Sequence, residues 1–303
     1  MIKFCKKNKI DLVFSNLQHT NFIAVFAQYF VKAKVIIFRH HFKFNKGYFG
    51  IPLKVNKNEV LFDKIINYLA KLIVVPSSGV YNGMLQHENL KKSKVKIIPY
   101  LYDFSRYKLP NSDEIEKIKI AYPAKLRLIM VARLIPFKRH AIIFKLISRL
   151  IKEGLSIKML VLDEGPEENN LKEMIAHEKL EENIFMLGYQ RKLLEYMAAC
   201  DLLIHPSLTE ASNSVVKEMG LLKKPVAVCK GVGDFDDYIV NDKNSFTMDI
   251  VNPENDTEKI IKTIYNQPNI VSSYGEELHN TILDKFSSNK KTIGKYRELI
   301  NYY

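Results

Sequence analysis

Short apolar runs alternate with longer amphipathic stretches over more than 100 residues of the chain, from residue 127 onwards. An apolar run of about four to eight residues between polar ones is typical of a strand buried on both faces of a parallel sheet. The stretches between the runs have helical periodicity, and the first of them ends at Gly154, a residue type favoured just after a helix. The alternation predicts βαβ units and a doubly wound α/β fold. The predicted strands are "RLIMVARL", "IKMLVLDEG", "NIFMLGY", "DLLIHPS" and "KPVAVCK".

The first third of the chain has the same organisation. Its predicted strands are "DLVFS", "KVIIFRH", "KLIVVPS" and "KVKIIPY". A charged stretch with two prolines, residues 103–126, is interpreted as a linker, and a length of 303 residues suits two domains. We therefore predict one Rossmann-like domain over residues 1–115 and a second over 120–280. A C-terminal helix follows over 281–303, and a return of this helix to the first domain is one option. Two such sheets would face a cleft that binds ligands at the carboxyl ends of the strands.

The positive charge is concentrated in the first third of the chain. Residues 1–110 hold 19 Lys and Arg against 5 Asp and Glu, whereas the remaining residues hold 27 against 28. A general bias of composition towards lysine would give both parts of the chain a similar excess of positive charge. The asymmetry therefore predicts an anionic partner for the first domain, and we expect an anionic membrane surface or a phosphorylated lipid. Nucleic acid is the weaker alternative and no nucleic acid is expected, because the basic segments match no single-strand, helix-turn-helix or zinc motif.

The cysteines and the N-terminus indicate the compartment. Cys5, Cys200 and Cys229 are far apart and form no CxxC or Cys/His cluster, so neither a metal site nor a disulfide framework is expected. The most apolar stretch near the N-terminus, "FIAVFAQYF", is well below the roughly 20 residues that a membrane span needs. We expect a cytoplasmic protein, with peripheral attachment to the inner face of the cell membrane as the alternative.

Charged residues follow the first predicted strand of the second domain. Arg133 and Lys138 are separated by a turn that contains Pro136. Two cations at the carboxyl end of a strand can clamp a diphosphate, the arginine through its bidentate fork and the lysine as a point charge. Taken alone the pattern is equally typical of solvated surface charge. The acidic turn "DEGP", the segment "MLGY" and the segment "HPSLTEASNSVVKE" follow the next three strands, so all four lie on the same edge of the predicted sheet.

Two carboxylates stand eight positions apart in "SLTEASNSVVKEMG", at Glu210 and Glu218. Eight residues are about two helical turns, so the two groups would share one face about 12 Å apart if both lay on a helix. The first would then lie beside the helix N-terminus, where free amides and the helix dipole attract phosphate. The alternative is that Ser212 or Asn213 caps the helix and Glu218 is a solvated surface residue.

Taken in order, these segments resemble the retaining, nucleotide-sugar-dependent glycosyltransferases of the GT-B fold, in the large group with a Glu-x7-Glu motif. "VARLIPFK" is similar to that family's strand–Arg–turn–Lys segment, "DEGP" to its G-x-G-P turn and "MLGY" to the segment before its nucleotide-facing loop. The segment from "ACDLLIHPS" to "VNDKNSF" is similar to its core signature. The first-domain strands resemble its later N-domain strands, and the likeness covers roughly residues 8–265.

The resemblance implies how a diphosphate would be bound. Arg133 and Lys138 would neutralise the diphosphate, which is the leaving group. Backbone amides at Asn213, Ser214 and Val215 would add hydrogen bonds to it at the start of the helix. No metal and no other cofactor is expected, since these cations perform the neutralisation. The donor would be a sugar linked to UDP or GDP.

The resemblance also implies roles for the sugar and nucleoside. Glu218 would bind the ribose hydroxyls, and Gly188 would precede the loop that faces the base. Glu210 would orient the donor sugar and stabilise positive charge as the anomeric centre ionises. A histidine at the end of an N-domain strand often faces the donor sugar in this family. His40 fits that position better than His41, and a purely structural histidine is the alternative.

The sequence departs from the family pattern at several places. Ala211, Ser212 and Asn213 stand where glycine-rich residues usually follow the first glutamate, and Asp163 replaces the first glycine of G-x-G-P. Leu101 stands in a turn where glycine is usual, and leucine tolerates a positive φ poorly, so that turn must differ. The first elements of the family's N-domain, including a glycine-rich loop, have no counterpart before residue 8, so the N-domain is expected to be incomplete.

Two functions from different classes follow. The first is a retaining hexosyltransferase that acts in polysaccharide or lipopolysaccharide biosynthesis and moves a sugar to a lipid-linked or glycan acceptor. The second is a truncated, catalytically weak nucleotide-sugar-binding protein, or the partner subunit of a complete glycosyltransferase. Phosphorolysis and sugar-nucleotide epimerisation on the same fold match less well.

Overall fold

The computed structural model describes residues 1–41, 57–88, 90–287 and 290–301. These residues form two compact units. The first unit comprises Met1–Tyr102, Glu210–Ser212 and, near the C-terminus, residues 290–301. The second comprises Asp103–Thr209 and Asn213–Ser287. Each unit is built on one parallel sheet with helices between most successive strands, so the predicted α/β fold class is confirmed.

The first unit contains a four-stranded parallel sheet whose strands follow one another in chain order. The strands are β1 (Leu12–Ser15), β2 (Lys34–Phe38), β3 (Ile73–Val75) and β4 (Val95–Ile97). The helices before and between them are α1 (Ile2–Lys7), α2 (Gln18–Ala27), α3 (Lys57–Leu69) and α4 (Ser78–His87). All four strands lie within the runs predicted from the sequence.

Alternating residues of β2 are buried on opposite faces of this sheet. Val35 and Ile37 pack in one cluster with residues of α2, α3 and α4. Ile36 packs in a second cluster on the other face, together with a leucine of the C-terminal segment. Because both faces of the sheet are covered, the sequence of β2 is a continuous apolar run and not an alternation of apolar and polar residues.

The second unit contains a six-stranded parallel sheet. Its strands are β5 (Leu126–Val131), β6 (Ile157–Leu162), β7 (Ile184–Gly188), β8 (Leu202–His205), β9 (Val226–Cys229) and β10 (Phe246–Met248). Its helices are α5 (Ser112–Ala121), α6 (His140–Lys152), α7 (Glu168–His177), α8 (Leu193–Ala199), α9 (Ser214–Leu221), α10 (Pro253–Asn266) and α11 (Asn269–Phe286). The strand order is β10-β9-β8-β5-β6-β7, the doubly wound order in which the chain reverses direction between its third and fourth strands.

The interpretation of residues 103–126 as a linker is wrong over Ser112–Ala121, which form α5. The side-chain oxygen of Asn111 accepts hydrogen bonds from the amides of Asp113 and Glu114, at 2.9 and 3.2 Å. The two acidic residues lie in the first turn, where negative charge is favourable. The charges that suggested a linker are therefore signals of a helix start.

The last described helix, α12 (Lys290–Asn301), belongs to the first unit. Leu299 is buried in the cluster around Ile36, and the Tyr296 ring stacks on Phe38 at 6.5 Å between centroids. The Lys34 ammonium donates to the carbonyl of Ile300 at 2.9 Å. This helix therefore covers the second face of the β1–β4 sheet.

Candidate functional site

The carboxyl edge of the second sheet has a switch point between β5 and β8. β5 pairs with β6 on one side and with β8 on the other, so the loops after β5 and β8 leave the sheet side by side. In doubly wound sheets ligands bind at such a point, outside the carboxyl ends of the strands. The segments that the sequence singles out after the first and fourth strands of the second domain thus meet at one place.

The loop after β5 places a cation at this point. Pro136–Lys138 form a short 3₁₀ turn that ends at Arg139, whose φ is 58°. The Lys138 ammonium donates to the Ser207 hydroxyl at 3.3 Å, and the Leu208 amide donates to the carbonyl of Phe137 at 3.0 Å. These two bonds join the loop after β5 to the loop after β8.

Arg133, the second predicted cation, has an exposed side chain at the start of the same loop. It lies two residues beyond the end of β5, and its carbonyl accepts the Ile135 amide at 2.8 Å. The two basic residues thus differ: Lys138 is half-buried against the next loop, and Arg133 reaches solvent.

The loops after β5, β6 and β7 interlock through backbone hydrogen bonds. The Leu134 amide donates to the Glu164 carbonyl, and the Leu134 carbonyl accepts from the Glu167 amide, both at 3.0 Å. A Cβ on Gly165 would lie only 2.4 Å from the Leu134 oxygen, so this position requires glycine. The Asp163 amide donates to the carbonyl of Gly188 at 2.9 Å.

Asp163 has a backbone conformation that favours glycine. Its φ is 97°, a value that L-residues rarely adopt, and its side-chain oxygen accepts the amide of Glu164 at 2.8 Å. Gly188 at the end of β7 also has a positive φ, of 64°. Leu101 is not among the described residues of positive φ, so its turn does differ from a glycine-type turn.

Helix α9 begins at Ser214 with Asn213 as its N-cap, which settles the choice between Ser212 and Asn213. The Asn213 Oδ1 accepts the Val216 amide at 3.0 Å, and its side-chain amide donates to His205 Nε2 at 3.2 Å. Among the described residues the amides of Ser214 and Val215 have no hydrogen-bond partner, as expected in the first turn of a helix.

Glu218 lies inside α9, one turn beyond its start, and is half-buried. The Tyr107 hydroxyl donates to its Oε1 at 3.0 Å. Burial raises the pKa of the Glu218 carboxyl above its usual range, and the bond from Tyr107 opposes this shift. Burial and the neighbouring carboxylate raise the pKa of Tyr107 to about 12. Glu218 is therefore not the solvated surface residue of the alternative interpretation.

Glu210 precedes α9 by four residues and is not on the helix, so the two carboxylates do not share one helix face. Glu210 groups with the first unit, as do Ala211 and Ser212. The Tyr102 hydroxyl lies 3.2 Å from the Ser212 hydroxyl. Glu210 itself is half-exposed.

His40 lies at the carboxyl edge of the first sheet. Its Nε2 is 3.1 Å from the Asn16 side-chain oxygen, and its Nδ1 is hydrogen-bonded to the Tyr100 hydroxyl. Asn16 follows β1, His40 follows β2 and Tyr100 follows β4. With Asn16 as acceptor, Nε2 carries the hydrogen and Nδ1 accepts from Tyr100. Burial, His41 and Arg39 all lower the pKa of His40, which favours this neutral ring. His41 is exposed.

A buried polar cluster that sequence reasoning missed anchors the end of β2. The Arg39 guanidinium donates to both oxygens of Glu88, at 3.0 and 3.1 Å, and to Asn67 Oδ1 at 2.8 Å. Asp63 lies 3.4 Å from the same guanidinium. This network holds the backbone immediately before His40. Its members come from three separate elements, so no local pattern in the sequence indicates it.

Two buried histidines beside Lys138 were also missed. His140 is 3% exposed and His205 is 2% exposed. Among the described residues His140 Nε2 has no hydrogen-bond partner, and burial, helped by His205 and Lys138, lowers the pKa of His140 to about 4. A histidine at the end of β8 was visible in "DLLIHPS", but only the structure shows that His205 contacts the N-cap of α9.

Residues 111–279, more than half of the chain, match the family of glycosyl transferases group 1. The chain belongs to this family. A poly(ribitol-phosphate) alpha-N-acetylglucosaminyltransferase of Staphylococcus aureus is 22% identical over 171 residues, 56% of this chain and 34% of that protein. An N-acetylgalactosamine-N,N'-diacetylbacillosaminyl-diphospho-undecaprenol 4-alpha-N-acetylgalactosaminyltransferase of Campylobacter jejuni is 26% identical over 219 residues, 71% of this chain and 56% of that protein. The chain thus spans between 34% and 56% of the length of these two curated relatives.

Solved structures share the fold. Anabaena Alr3699/HepE in complex with UDP superposes with a TM-score of 0.83 at 18% identity, over 100% of this chain and 81% of that one. A glycosyltransferase from Rickettsia africae gives a TM-score of 0.81 at 19% identity, over 99% of this chain and 79% of that one. The predicted relation to GT-B glycosyltransferases is therefore confirmed at the level of the fold.

No helix in the described part of the chain is long and apolar enough to cross a membrane.

Proposed function

We propose that this chain transfers a sugar from a nucleotide-diphosphate sugar to a lipid-linked or polysaccharide acceptor, with retention of the anomeric configuration. The observation that carries the proposal is the cluster at the β5/β8 switch point of the second unit. There a lysine ammonium, two amides without partners in the described chain and a half-buried carboxylate lie on adjoining segments. These are the groups that a diphosphate and a ribose need.

Each group has a proposed task in donor binding. Lys138 and Arg133 neutralise the diphosphate, and the amides of Ser214 and Val215 donate hydrogen bonds to it. Glu218 accepts a ribose hydroxyl through Oε2, since Oε1 already accepts from Tyr107. Gly188 precedes the loop that faces the base. We take the donor nucleotide to be UDP, with GDP as the alternative, because similar structures were solved with UDP and UDP-glucose.

The proposed chemistry needs a stabilised leaving group and an anion near the sugar. The bond between the anomeric carbon and the diphosphate oxygen breaks with its electron pair on the diphosphate. The acceptor oxygen then bonds to that carbon, and its proton leaves with the diphosphate. Glu210 stabilises the oxocarbenium-like centre and His40 contacts the donor sugar. We propose no metal, and transfer would then be unchanged by EDTA.

The acceptor is proposed from the relatives and from the first unit. The named relatives act on poly(ribitol-phosphate) and on a diphospho-undecaprenol-linked sugar. Exposed aromatic residues lie among lysines in the first unit, with Phe4 64%, Tyr29 58% and Phe30 62% exposed. Lysines with neighbouring aromatic rings suit an anionic lipid surface. We propose that the first unit contacts such a surface when the acceptor is lipid-linked.

The test is calorimetric titration with UDP and GDP of the wild type, Lys138→Ala and the control Lys145→Ala. Lys145 is an exposed lysine on α6. We expect one nucleotide to bind the wild type and the control, and Lys138→Ala to lose at least tenfold in affinity, since a hydrogen bond to a charged group contributes roughly 1.5–3 kcal/mol.

Catalysis is tested with Glu210→Ala and the matching radiolabelled nucleotide sugar. We expect this variant to bind nucleotide normally and to transfer no sugar. Transfer at the wild-type rate would contradict the role of Glu210. A wild-type chain that binds nucleotide but neither transfers nor hydrolyses its sugar would instead be a nucleotide-sugar-binding protein.

A further inference from the structure

Helix α9 contains a lysine that is completely buried. Lys217 stands one residue before Glu218 and its side chain is 0% exposed. Its ammonium lies 2.7 Å from Asp234 Oδ2, and the Asp234 side chain is 2% exposed. A buried ion pair is rarely the most stable way to fill such a space, because the desolvation of both charges offsets their attraction. The pair therefore calls for an explanation other than stability.

The other contacts of the ammonium indicate what it does. Lys217 Nζ also donates to the backbone carbonyl of Asn213 at 3.1 Å. The centroids of the Tyr238 and Phe286 rings lie 4.9 and 4.5 Å from it. Aromatic faces attract a cation, so the ammonium is held in place between two rings, one carboxylate and one carbonyl.

The Asn213 carbonyl belongs to the same peptide group as the Ser214 amide. In a trans peptide the carbonyl and the N–H point in opposite directions, so fixing one fixes the other. A cation on the carbonyl also polarises the peptide and makes its N–H a stronger donor. Among the described residues the Ser214 amide has no partner, and its N–H stands at the exposed start of α9.

Asp234 comes from a different segment of the same edge. It lies beyond β9, next to the 3₁₀ turn Phe235–Asp237. The ion pair thus ties the first turn of α9 to the segment that follows the neighbouring strand. Asn213 is held from its other side by His205, which ends β8. Residue 213 is therefore held at its carbonyl by the lysine that pairs with Asp234, and at its side chain by the histidine that ends β8.

We propose that the Lys217–Asp234 pair is a positioning device that orients and polarises the Ser214 amide towards the diphosphate of the donor. This inference rests on the proposed function, because it assumes that a diphosphate binds at the start of α9. It assigns to Lys217 a role in binding phosphate without contact with phosphate. The effect is specific for the phosphate end of the ligand and leaves the nucleoside end unaffected.

The experiment compares UDP with uridine, which lacks the phosphates. The variant is Lys217→Met with Asp234→Asn, which removes both charges and leaves neither partner as a lone buried ion. The control is Lys262→Met with Glu153→Gln, which removes an ion pair of 2.8 Å that is largely solvent-exposed. Affinities for UDP are measured by calorimetry and those for uridine by NMR titration.

We expect the double variant to lose about tenfold in UDP affinity, the equivalent of one hydrogen bond to a charged group, with uridine affinity unchanged. The control keeps both affinities. Equal loss for UDP and uridine, or no loss for either, would show that the pair is only structural.

A second variant, Lys217→Arg, keeps the charge, and partial recovery of UDP affinity in it supports the role of the cation. If the double variant fails to fold, the single variants Lys217→Arg and Asp234→Asn decide the matter through the ratio of UDP affinity to uridine affinity. The proposal is supported if Lys217→Arg keeps the wild-type ratio and Asp234→Asn lowers it. It is overturned if both variants keep the wild-type ratio.

A wild type that binds no nucleotide overturns the proposed function and this inference with it. A wild type that binds UDP, with a double variant that does so equally well, overturns the inference alone.

Discussion

Gly165 is where the interlocked loops of the second unit are most sensitive to one added methyl group. A Cβ at this position would lie 2.4 Å from the Leu134 oxygen, 2.7 Å from its nitrogen and 2.8 Å from its carbonyl carbon. All three are backbone atoms, so no side chain can rotate away. An ordinary van der Waals contact starts at 3.4 Å, so the two loops must separate by about 1 Å.

The cost of Gly165→Ala follows from what this separation breaks. The hydrogen bonds of Leu134 with Glu164 and Glu167, both of 3.0 Å, join the same two loops. Each contributes about 1 kcal/mol, and overpacking adds about 1–3 kcal/mol. We expect a loss of about 3–5 kcal/mol of unfolding free energy. For a unit of this size that lowers Tm by roughly 6–20 °C.

Scanning calorimetry measures this, with Gly154→Ala as the matched control. Gly154 also has a positive φ, of 89°, but a Cβ there would meet no atom within 4 Å. Its alanine variant loses only the conformational cost of about 1–2 kcal/mol. The reasoning is refuted if Gly165→Ala is no less stable than Gly154→Ala. UDP affinity of Gly165→Ala should also fall, because the displaced loop carries Arg133.

Two further predictions concern pH. Tyr107→Phe removes the bond that opposes the effect of burial on Glu218, so the pKa of Glu218 rises further. With the ribose-binding role proposed for the ionised carboxylate, UDP affinity should then be lost at a higher pH. Calorimetry at a series of pH values checks this, with Glu218→Gln as the control: that variant should bind UDP weakly at every pH, and adding Tyr107→Phe to it should not change its pH dependence. The pKa of His140 is about 4 in the folded chain against 6.5 for an ordinary histidine, so the unfolded chain binds more protons between these values. Stability should therefore fall by about 3 kcal/mol as pH falls from 6.5 to 4. Tm measured against pH should fall less in His140→Leu, and an equal slope would contradict the assignment.

The strands of both units could be predicted from the sequence because their signal is local. Most strands are apolar runs, and nine of the ten described strands coincide with a predicted run, β5 starting one residue before its run; β10 (Phe246–Met248) is too short for such a run and was not predicted. The error over residues 112–121 has a local cause as well. The segment "NSDEIEKIKI" contains an N-cap asparagine and an acidic first turn, which are signals of a helix start. Its high charge and the nearby prolines are also typical of a linker, and this second interpretation is the wrong one.

The candidate site was predictable only in part. Arg133, Lys138, Gly188 and the start of α9 were expected at the carboxyl edge of one sheet, and they lie there. The shared helix face of Glu210 and Glu218 required both residues to lie on the helix. Either N-cap that the sequence offered, Ser212 or Asn213, starts the helix after Glu210, and the structure uses Asn213.

The βα alternation, the basic first third and the residue types that follow each strand can be read from the sequence, since all of these are properties of neighbouring residues. The position of β5 beside β8, which brings Lys138 to Ser207 across 69 positions, comes from the folded chain. The pairing of Lys217 with Asp234 and the burial of His140 beside His205 come from the folded chain as well. Strand order and buried pairs depend on contacts between residues distant in the chain, and no local periodicity encodes such contacts.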